Sequence, residues 1–275
     1  MEKSCFICPV CRVPLFKNEK TYTCENGHSF DIAKKGYVNL LMSQKGGQHG
    51  DDKTMIAARA DFLNRGFYDE LSEKICACVH EHTAKGARVI DAGCGECKYT
   101  ADVFNFLDRE GKGAEVIGID ISKEALAFAK RRTGKLHLAV ASTADMPVES
   151  GSVDAIINVF APFSAHEFLR VLKDDGVTIR VFPLAKHLWE LKALVYDNPY
   201  ENPEEDMEED GLKIIGRHRV CYTMDLSTND DITSLFKMTP YFYRTGERDM
   251  EKLRSAERLA CRAEFGIAVY RKVTI

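Results

Sequence analysis

Val89-Ile90-Asp91-Ala92-Gly93-Cys94-Gly95-Glu96 passes from an apolar, β-branched run into a pair of glycines, the pattern of a strand that ends in a tight loop and opens a helix. Around it lie five such runs: Arg88–Ala92, Glu115–Asp120, Leu136–Ala141, Asp154–Val159 and Val177–Phe182. Helix-like segments separate most of them, notably Tyr99–Arg109, Lys123–Arg132 and Ala165–Leu172. This alternation predicts right-handed crossovers and an α/β, doubly wound, Rossmann-like parallel sheet. Val220–Met224 and Phe265–Arg271 are two late strands that complete it. Upstream, Met55, Ala58 and Phe62, then Leu71, Ile75, Cys78 and Val79, recur at three- and four-residue spacing and break at Gly66, so two helices lead into the sheet.

Hydrophobic residues at 45% and charged residues at 29% over 275 positions suit a globular core and exclude collagen, coiled-coil and low-complexity readings. No run approaches the roughly 20 apolar residues of a membrane span, and MEKSCFICPVCRV carries no apolar signal region. A cytoplasmic location with no membrane partner is expected. Four of ten cysteines fall within the first 24 residues, and clustered thiols in a reducing compartment more often bind metal than pair. The net charge of −4 hides a division: residues 1–50 hold seven Lys/Arg against four Asp/Glu, while Glu201–Gly211 holds seven acids and no base. The basic end is the part suited to a polyanion, and the acidic run reads as a solvated loop.

Gly93 and Gly95 stand at the carboxyl edge where doubly wound sheets bind ligands, and without side chains they let a bulky ligand lie against the backbone. A dinucleotide site would have a third glycine where Lys98 stands, and its pyrophosphate would be repelled by Asp91. A cationic sulfonium amino acid suits Asp91. Asp120, at the tip of the second strand, can accept both ribose hydroxyls, and Asp145, in Ser-Thr-Ala-Asp-Met-Pro, could receive an adenine amino hydrogen while Met146 packs on the ring. Asp91, Gly93, Gly95 and Asp120 together point to S-adenosylmethionine.

Residues 1–37 are rich in Cys, Lys and aromatic residues and need a staple to fold. Cys8-Pro9-Val10-Cys11 followed by Cys24 and His28 supplies a closed tetrahedral zinc set, structural because no coordination position stays open. Cys5-x-x-Cys8 is a competing knuckle; Pro9 stiffens the turn between Cys8 and Cys11, and Leu15 and Tyr22 then flank both halves evenly, which favours the second pair. Residues 38–53, polar and Gly-rich over 43–52, read as a linker, and 54–275 form the large domain.

FICPVCRVPL, YTCENGHSFDIAKKGYVNLL, ARADFLNRGFYDEL, VIDAGCGE, GIDISKEA, DAIINVFAP, KHLWELKALVY and MTPYFYR together make the chain resemble the 23S ribosomal RNA (guanine-N1)-methyltransferases, nearly end to end. The resemblance implies a class I methyltransferase domain behind a zinc module, moving a methyl from S-adenosylmethionine to N1 of one guanine in a 23S rRNA hairpin. It also implies a homodimer whose zinc modules border an RNA cleft. The family's zinc ligands match Cys8, Cys11, Cys24 and His28; its cofactor contacts carry over to Tyr68, Gly95, Glu96 and His187. Cys97 departs from the family's small residue after GCGE, and Lys173-Asp174-Asp175-Gly176 replaces its K-P-G-G turn.

The loop after the fourth strand, Asn158-Val159-Phe160-Ala161-Pro162-Phe163, faces the reactive methyl in this topology. Phe160 or Phe163 could stack on an unstacked base, with Asn158 on its edge. No general base stands out: His187 is better assigned to the cofactor, and His166 reads as a helix-start residue. Arg12, Lys34 and Lys35, with Lys17 and Lys20, supply the phosphate-contacting surface. Two other functions fit the same residues: a small-molecule methyltransferase with a zinc lid, and a non-catalytic RNA-binding assembly protein.

Overall fold

The computed structural model describes residues 2–42, 52–129, 132, 135–203 and 207–273. At the amino end, β1 (Glu2–Ile7), β2 (Pro14–Lys17), β3 (Thr21–Thr23) and β4 (Ser29–Asp31) make a four-stranded antiparallel sheet in sequence order. The short β5 (Tyr37–Asn39) leaves that sheet and pairs in parallel with the edge of a second one. The expected linker over 38–53 is therefore corrected at its start: Val38 and Leu40 are buried, and only 41–42 and 52 of its remaining described residues lack regular structure, since helix α1 (Lys53–Asn64) begins at 53. Most of the Gly-rich stretch, 43–51, lies outside the described residues.

Helix α2 (Asp69–Glu81) completes the upstream pair broken at Gly66. The five expected strands follow as β6 (Arg88–Ala92), β7 (Glu115–Asp120), β8 (His137–Val140), β9 (Val153–Val159) and β10 (Leu172–Pro183). Between them run α3 (Lys98–Arg109), α4 (Lys123–Ala129) and α5 (Ala165–Val171); the helix expected to reach Arg132 crosses residues 130–131, outside those described. After α6 (Trp189–Val195) come β11 (Leu212–Leu226), α7 (Asn229–Lys237), α8 (Glu247–Arg254) and β12 (Leu259–Lys272). The eight-stranded sheet has the order β11-β12-β10-β9-β6-β7-β8-β5. It is parallel from β5 to β10, while β12 and β11 add antiparallel, so the parallel sheet read from the sequence is a mixed one.

Strands buried on both faces read as near-continuous apolar runs. Val89, Ile157, Ile179 and Phe265 turn to the face covered by α1, α2 and α3, whereas Ile90, Ile156 and Tyr270 turn to the other. That second face is covered partly by Phe168 of α5 and partly by Phe6, Leu15 and Val38 from the amino-terminal residues. The Ile7 N–H donates to the Pro147 carbonyl at 2.9 Å, and Phe6 bridges Val148. The amino-terminal module thus shares a core with the sheet.

Thr228 and Asp231 cap α7 reciprocally, and Arg65, just past α1, reaches Asp231 at 2.5 Å. This ties α1 to α7, and α1 together with Met238–Tyr241, just past α7, borders the space at the carboxyl ends of β6, β7, β9 and β10. The chain reverses its direction of sheet growth between β6 and β9, which is where open α/β sheets hold ligands.

Candidate cofactor and zinc sites

A cavity of about 900 Å³ opens at that reversal, within the size range of small-molecule sites. Its floor is the loop after β6. Gly93 takes φ +88°, and a Cβ placed there would lie 2.4 Å from the Ala161 Cβ in the loop after β9. Two loops from the two halves of the sheet therefore meet at a position only glycine can fill. The Gly95 N–H donates to Asp120 Oδ2 at 2.8 Å, and the Ser122 N–H donates to Oδ1 at 2.8 Å, so the carboxylate at the tip of β7 is held in one orientation.

Asp91 is buried and accepts from Thr100 Oγ1 at 2.5 Å. Burial pushes its carboxyl up to about 7, against the Thr100 hydrogen bond, with Asp120 and Glu96 adding in the same direction. Glu96, also buried, pairs with Arg132 at 3.1 Å; burial outweighs Arg132 and Arg59 and holds its pKa above the usual range. Three carboxylates around one cavity are a donor set for a cation, and S-adenosylmethionine fits them: its sulfonium and amino groups are positive and its ribose hydroxyls need acceptors.

On the facing wall, Tyr68 and His187 meet at 3.4 Å between Oη and Nε2. The Glu264 N–H points to His187 Nδ1 at 3.2 Å, which requires an unprotonated Nδ1 and leaves the ring proton on Nε2. Burial, helped by Lys192, pulls the imidazole down to about 3, so His187 is neutral. With Nδ1 accepting and Nε2 protonated, it has no lone pair to act as a base.

The structure brings together Tyr68, Asp91, Gly93, Gly95, Glu96, Asp120 and His187 around the cavity. Asp145 is not among them. It is exposed and forms an ion pair with Arg12 at 2.5 Å, while Met146 is fully buried in the core, so the adenine contacts expected of these two are corrected; Ala141 to Ala144 line the wall instead. Asn158 is also displaced from its expected place on a base edge. It is 1% exposed, and its Nδ2 donates to Ala92 O at 3.0 Å and Pro162 O at 3.3 Å, shaping the loop from behind. Phe160 is 47% exposed at the cavity with φ +53°, whereas Phe163 packs on Phe168 and Tyr270 in the core. His166 is exposed and outside the lining. Sequence reasoning passed over Arg59, Thr100, Arg180 and Met238 to Tyr241, which also border or brace the cavity; only Met238 to Tyr241 carried a signal, in the MTPYFYR segment.

In the amino-terminal module, Cys8, Cys11, Cys24 and His28 converge. His28 Nδ1 lies 3.5, 3.5 and 3.4 Å from the sulfurs of Cys8, Cys11 and Cys24, and Cys11 and Cys24 are 3.8 Å apart. A tetrahedron with Zn–S of ~2.3 Å and Zn–N of ~2.0 to 2.1 Å has S–S edges of ~3.8 Å and S–N edges of ~3.6 Å. The four donors match a closed zinc site. Cys5 turns the other way, toward Glu115 and His137, which settles the choice of knuckle. Lys34 and Lys35 are exposed in the turn between β4 and β5.

Residues 6–46 match a family model described as the RlmA N-terminal zinc ribbon, and residues 83–236 match one described as a methyltransferase domain. A Bacillus subtilis protein provisionally named a 23S rRNA (guanine-N1)-methyltransferase is 34% identical over 203 residues, covering 71% of each chain. The chain belongs to the 23S rRNA (guanine-N1)-methyltransferase family. A 23S rRNA (guanine(748)-N1)-methyltransferase of Streptomyces fradiae is 37% identical over 187 residues, 67% of this methyltransferase and 65% of that one. A solved geranyl diphosphate methyltransferase bound to its cofactor aligns at 16% identity and a TM-score of 0.46, over 82% of this chain and 93% of that one. S-adenosylmethionine is the methyltransferase's cofactor and zinc its structural ion. Among the described residues no helix is long and apolar enough to cross a membrane.

Proposed function

We propose that this chain methylates N1 of one guanine in a hairpin of 23S rRNA, with the cavity holding the cofactor and the zinc module gripping the RNA. The observation that carries the reading is the meeting of Gly93 and Ala161, which sets Phe160 at the mouth of a carboxylate-lined cavity. S-adenosylmethionine supplies a methyl already activated on sulfur.

Asp91 would hold the donor's amino group and Asp120 its ribose hydroxyls, with the Gly93 and Gly95 backbone beneath it. Tyr68 and His187 line the cavity as neutral groups, so they would not compete with a bound sulfonium for the carboxylates. Phe160 stacks on a guanine taken out of its RNA stack, and Asn158 holds the loop that presents it. Among the described residues no side chain lining the cavity stands out as a general base, so the chain works by positioning N1 against the donor, and the N1 proton leaves to solvent. Arg12, Lys34 and Lys35 contact RNA phosphates; Arg12 exchanges Asp145 for phosphate at little cost, because an exposed ion pair is worth about 0 to 1 kcal/mol. A homodimer and a cytoplasmic location follow from the family resemblance and from a ribosomal substrate.

Labelled cofactor incubated with unmodified 23S rRNA should transfer its methyl to one guanine N1 on base mapping. Transfer only to free metabolites would replace the reading with a small-molecule methyltransferase, and tight RNA binding without turnover would replace it with an assembly protein. Light scattering on the purified chain tests the dimer.

A further inference from the structure

The cofactor loop contains a second chemistry. Cys94 and Cys97 bracket Gly95 and Glu96, and their sulfurs stand 3.5 Å apart. The Cys97 N–H donates to the Cys94 carbonyl at 2.8 Å, closing a β-turn. A turn keeps its end Cα atoms within about 7 Å, and disulfides span Cα separations of about 4.4 to 6.8 Å, so a bond is within reach of this backbone after a small shift of the turn. Cys97 occupies φ +65°, a conformation glycine adopts freely and other residues seldom do. Cys94 lines the cofactor cavity, which gives a small oxidant a path to an otherwise buried pair.

We propose that Cys94 and Cys97 are an oxidation site for hydroperoxides, and that their disulfide disables the cofactor loop. The Cys94 sulfur attacks one peroxide oxygen, the O–O bond breaks, and Cys94 becomes a sulfenic acid as water leaves. The Cys97 sulfur then displaces the second water, so two thiols and one hydrogen peroxide give one disulfide and two waters. Bonding draws the sulfurs from 3.5 Å to about 2.05 Å. The strain falls on Gly95 and Glu96, pulling the Gly95 N–H off Asp120 and Glu96 off Arg132. Burial holds the Cys94 thiol well above the usual range, so the reaction runs faster in alkaline buffer. A bound cofactor blocks the path and protects the pair. The loss of affinity, but not the bond itself, rests on the cofactor reading of the cavity.

The test uses the zinc-loaded full chain. Trypsin cuts after Arg88 and Lys98, so one peptide, Val89–Lys98, contains both cysteines and no other. After treatment with hydrogen peroxide, that peptide should be lighter by two hydrogens, with the change suppressed by prior S-adenosylhomocysteine and reversed by dithiothreitol. Calorimetry on the same sample should show cofactor affinity weakened at least about tenfold. Cys97→Gly, which suits the positive φ, should keep activity, and its peroxide-treated peptide should gain oxygen at Cys94 rather than lose two hydrogens. A Val89–Lys98 peptide that stays reduced while zinc is released would overturn the proposal, as would a disulfide that leaves affinity unchanged. If the reduced chain binds no cofactor, the cavity reading fails, and the peptide mass still decides the dithiol.

Discussion

Replacing Gly93 with alanine tests the contact on which the cavity depends. The new Cβ would sit 2.4 Å from the Ala161 Cβ, where carbon atoms normally approach to about 3.5 to 4.0 Å. Two costs add. The backbone at φ +88° disfavours any side chain by about 1 to 2 kcal/mol, and forcing a methyl into a filled space costs about 1 to 3 kcal/mol. Together these predict a loss of about 2 to 5 kcal/mol, or a melting temperature lower by roughly 3 to 9 °C for a chain of this size. The loops can also yield by separating, which widens the cavity and weakens cofactor binding. Ala161→Gly removes the opposing methyl and leaves only the backbone cost. In a double-mutant cycle read by thermal unfolding, Gly93→Ala with Ala161→Gly should recover about 1 to 3 kcal/mol relative to additivity. A coupling below about 0.5 kcal/mol would refute the argument that these two loops are pressed together.

Asp91 gives a pH prediction. Its carboxyl sits near 7 when folded and at 3.8 when unfolded, so the folded chain binds the extra proton between these values and loses stability as pH rises through that window. Asp91→Asn should remove that slope and stabilise the cofactor-free chain above pH 7 by on the order of 4 kcal/mol. Because a cationic donor favours the carboxylate, cofactor binding near pH 6.5 should release a proton from the wild type and none from Asp91→Asn, read by calorimetry in buffers of different ionisation heat. His28→Ala or a strong chelator should abolish zinc binding and rRNA binding while the cavity still binds cofactor; unchanged RNA affinity without zinc would break the assignment of the grip. Lys34→Glu with Lys35→Glu should weaken hairpin binding and flatten its salt dependence, because every phosphate left unneutralised lowers the slope by about one. Phe160→Ala should slow methyl transfer by a factor corresponding to about 1 to 3 kcal/mol of base stacking, with cofactor affinity unchanged.

The parallel strands were legible because burial on both faces writes them as unbroken apolar runs, and VIDAGCGE marked the ligand edge. The antiparallel pair was visible only in its middle: β11 extends over Leu212–Leu226, where Lys213, Arg217, Arg219 and Asp225 interrupt the apolar pattern on its exposed side. The zinc set was legible from spacing together with Pro9, Leu15 and Tyr22, since spacing by itself also allowed the Cys5–Cys8 knuckle. Asp145 misled because its position after β8 matches an adenine-binding turn, but an arginine 133 residues earlier in the chain captures it. Asn158 misled for a related reason: a polar residue beside the reactive loop can serve the loop's backbone as readily as a base. Arg59 and Arg180 gave no local signal, since only the packing of α1 and β10 brings them to the cavity.

The seating of β5 against β8 has a geometric result. Lys34 and Lys35 stand a few residues from a strand that is stitched to the same sheet as Asp120, and Phe6 and Leu15 are wedged into that sheet's interior. If Lys34 and Lys35 hold RNA phosphates as proposed, the grip and the methyl-delivering cavity are braced against one shared core. On that reading the protein would work as a caliper, selecting a hairpin by the distance from its held phosphates to its extruded base.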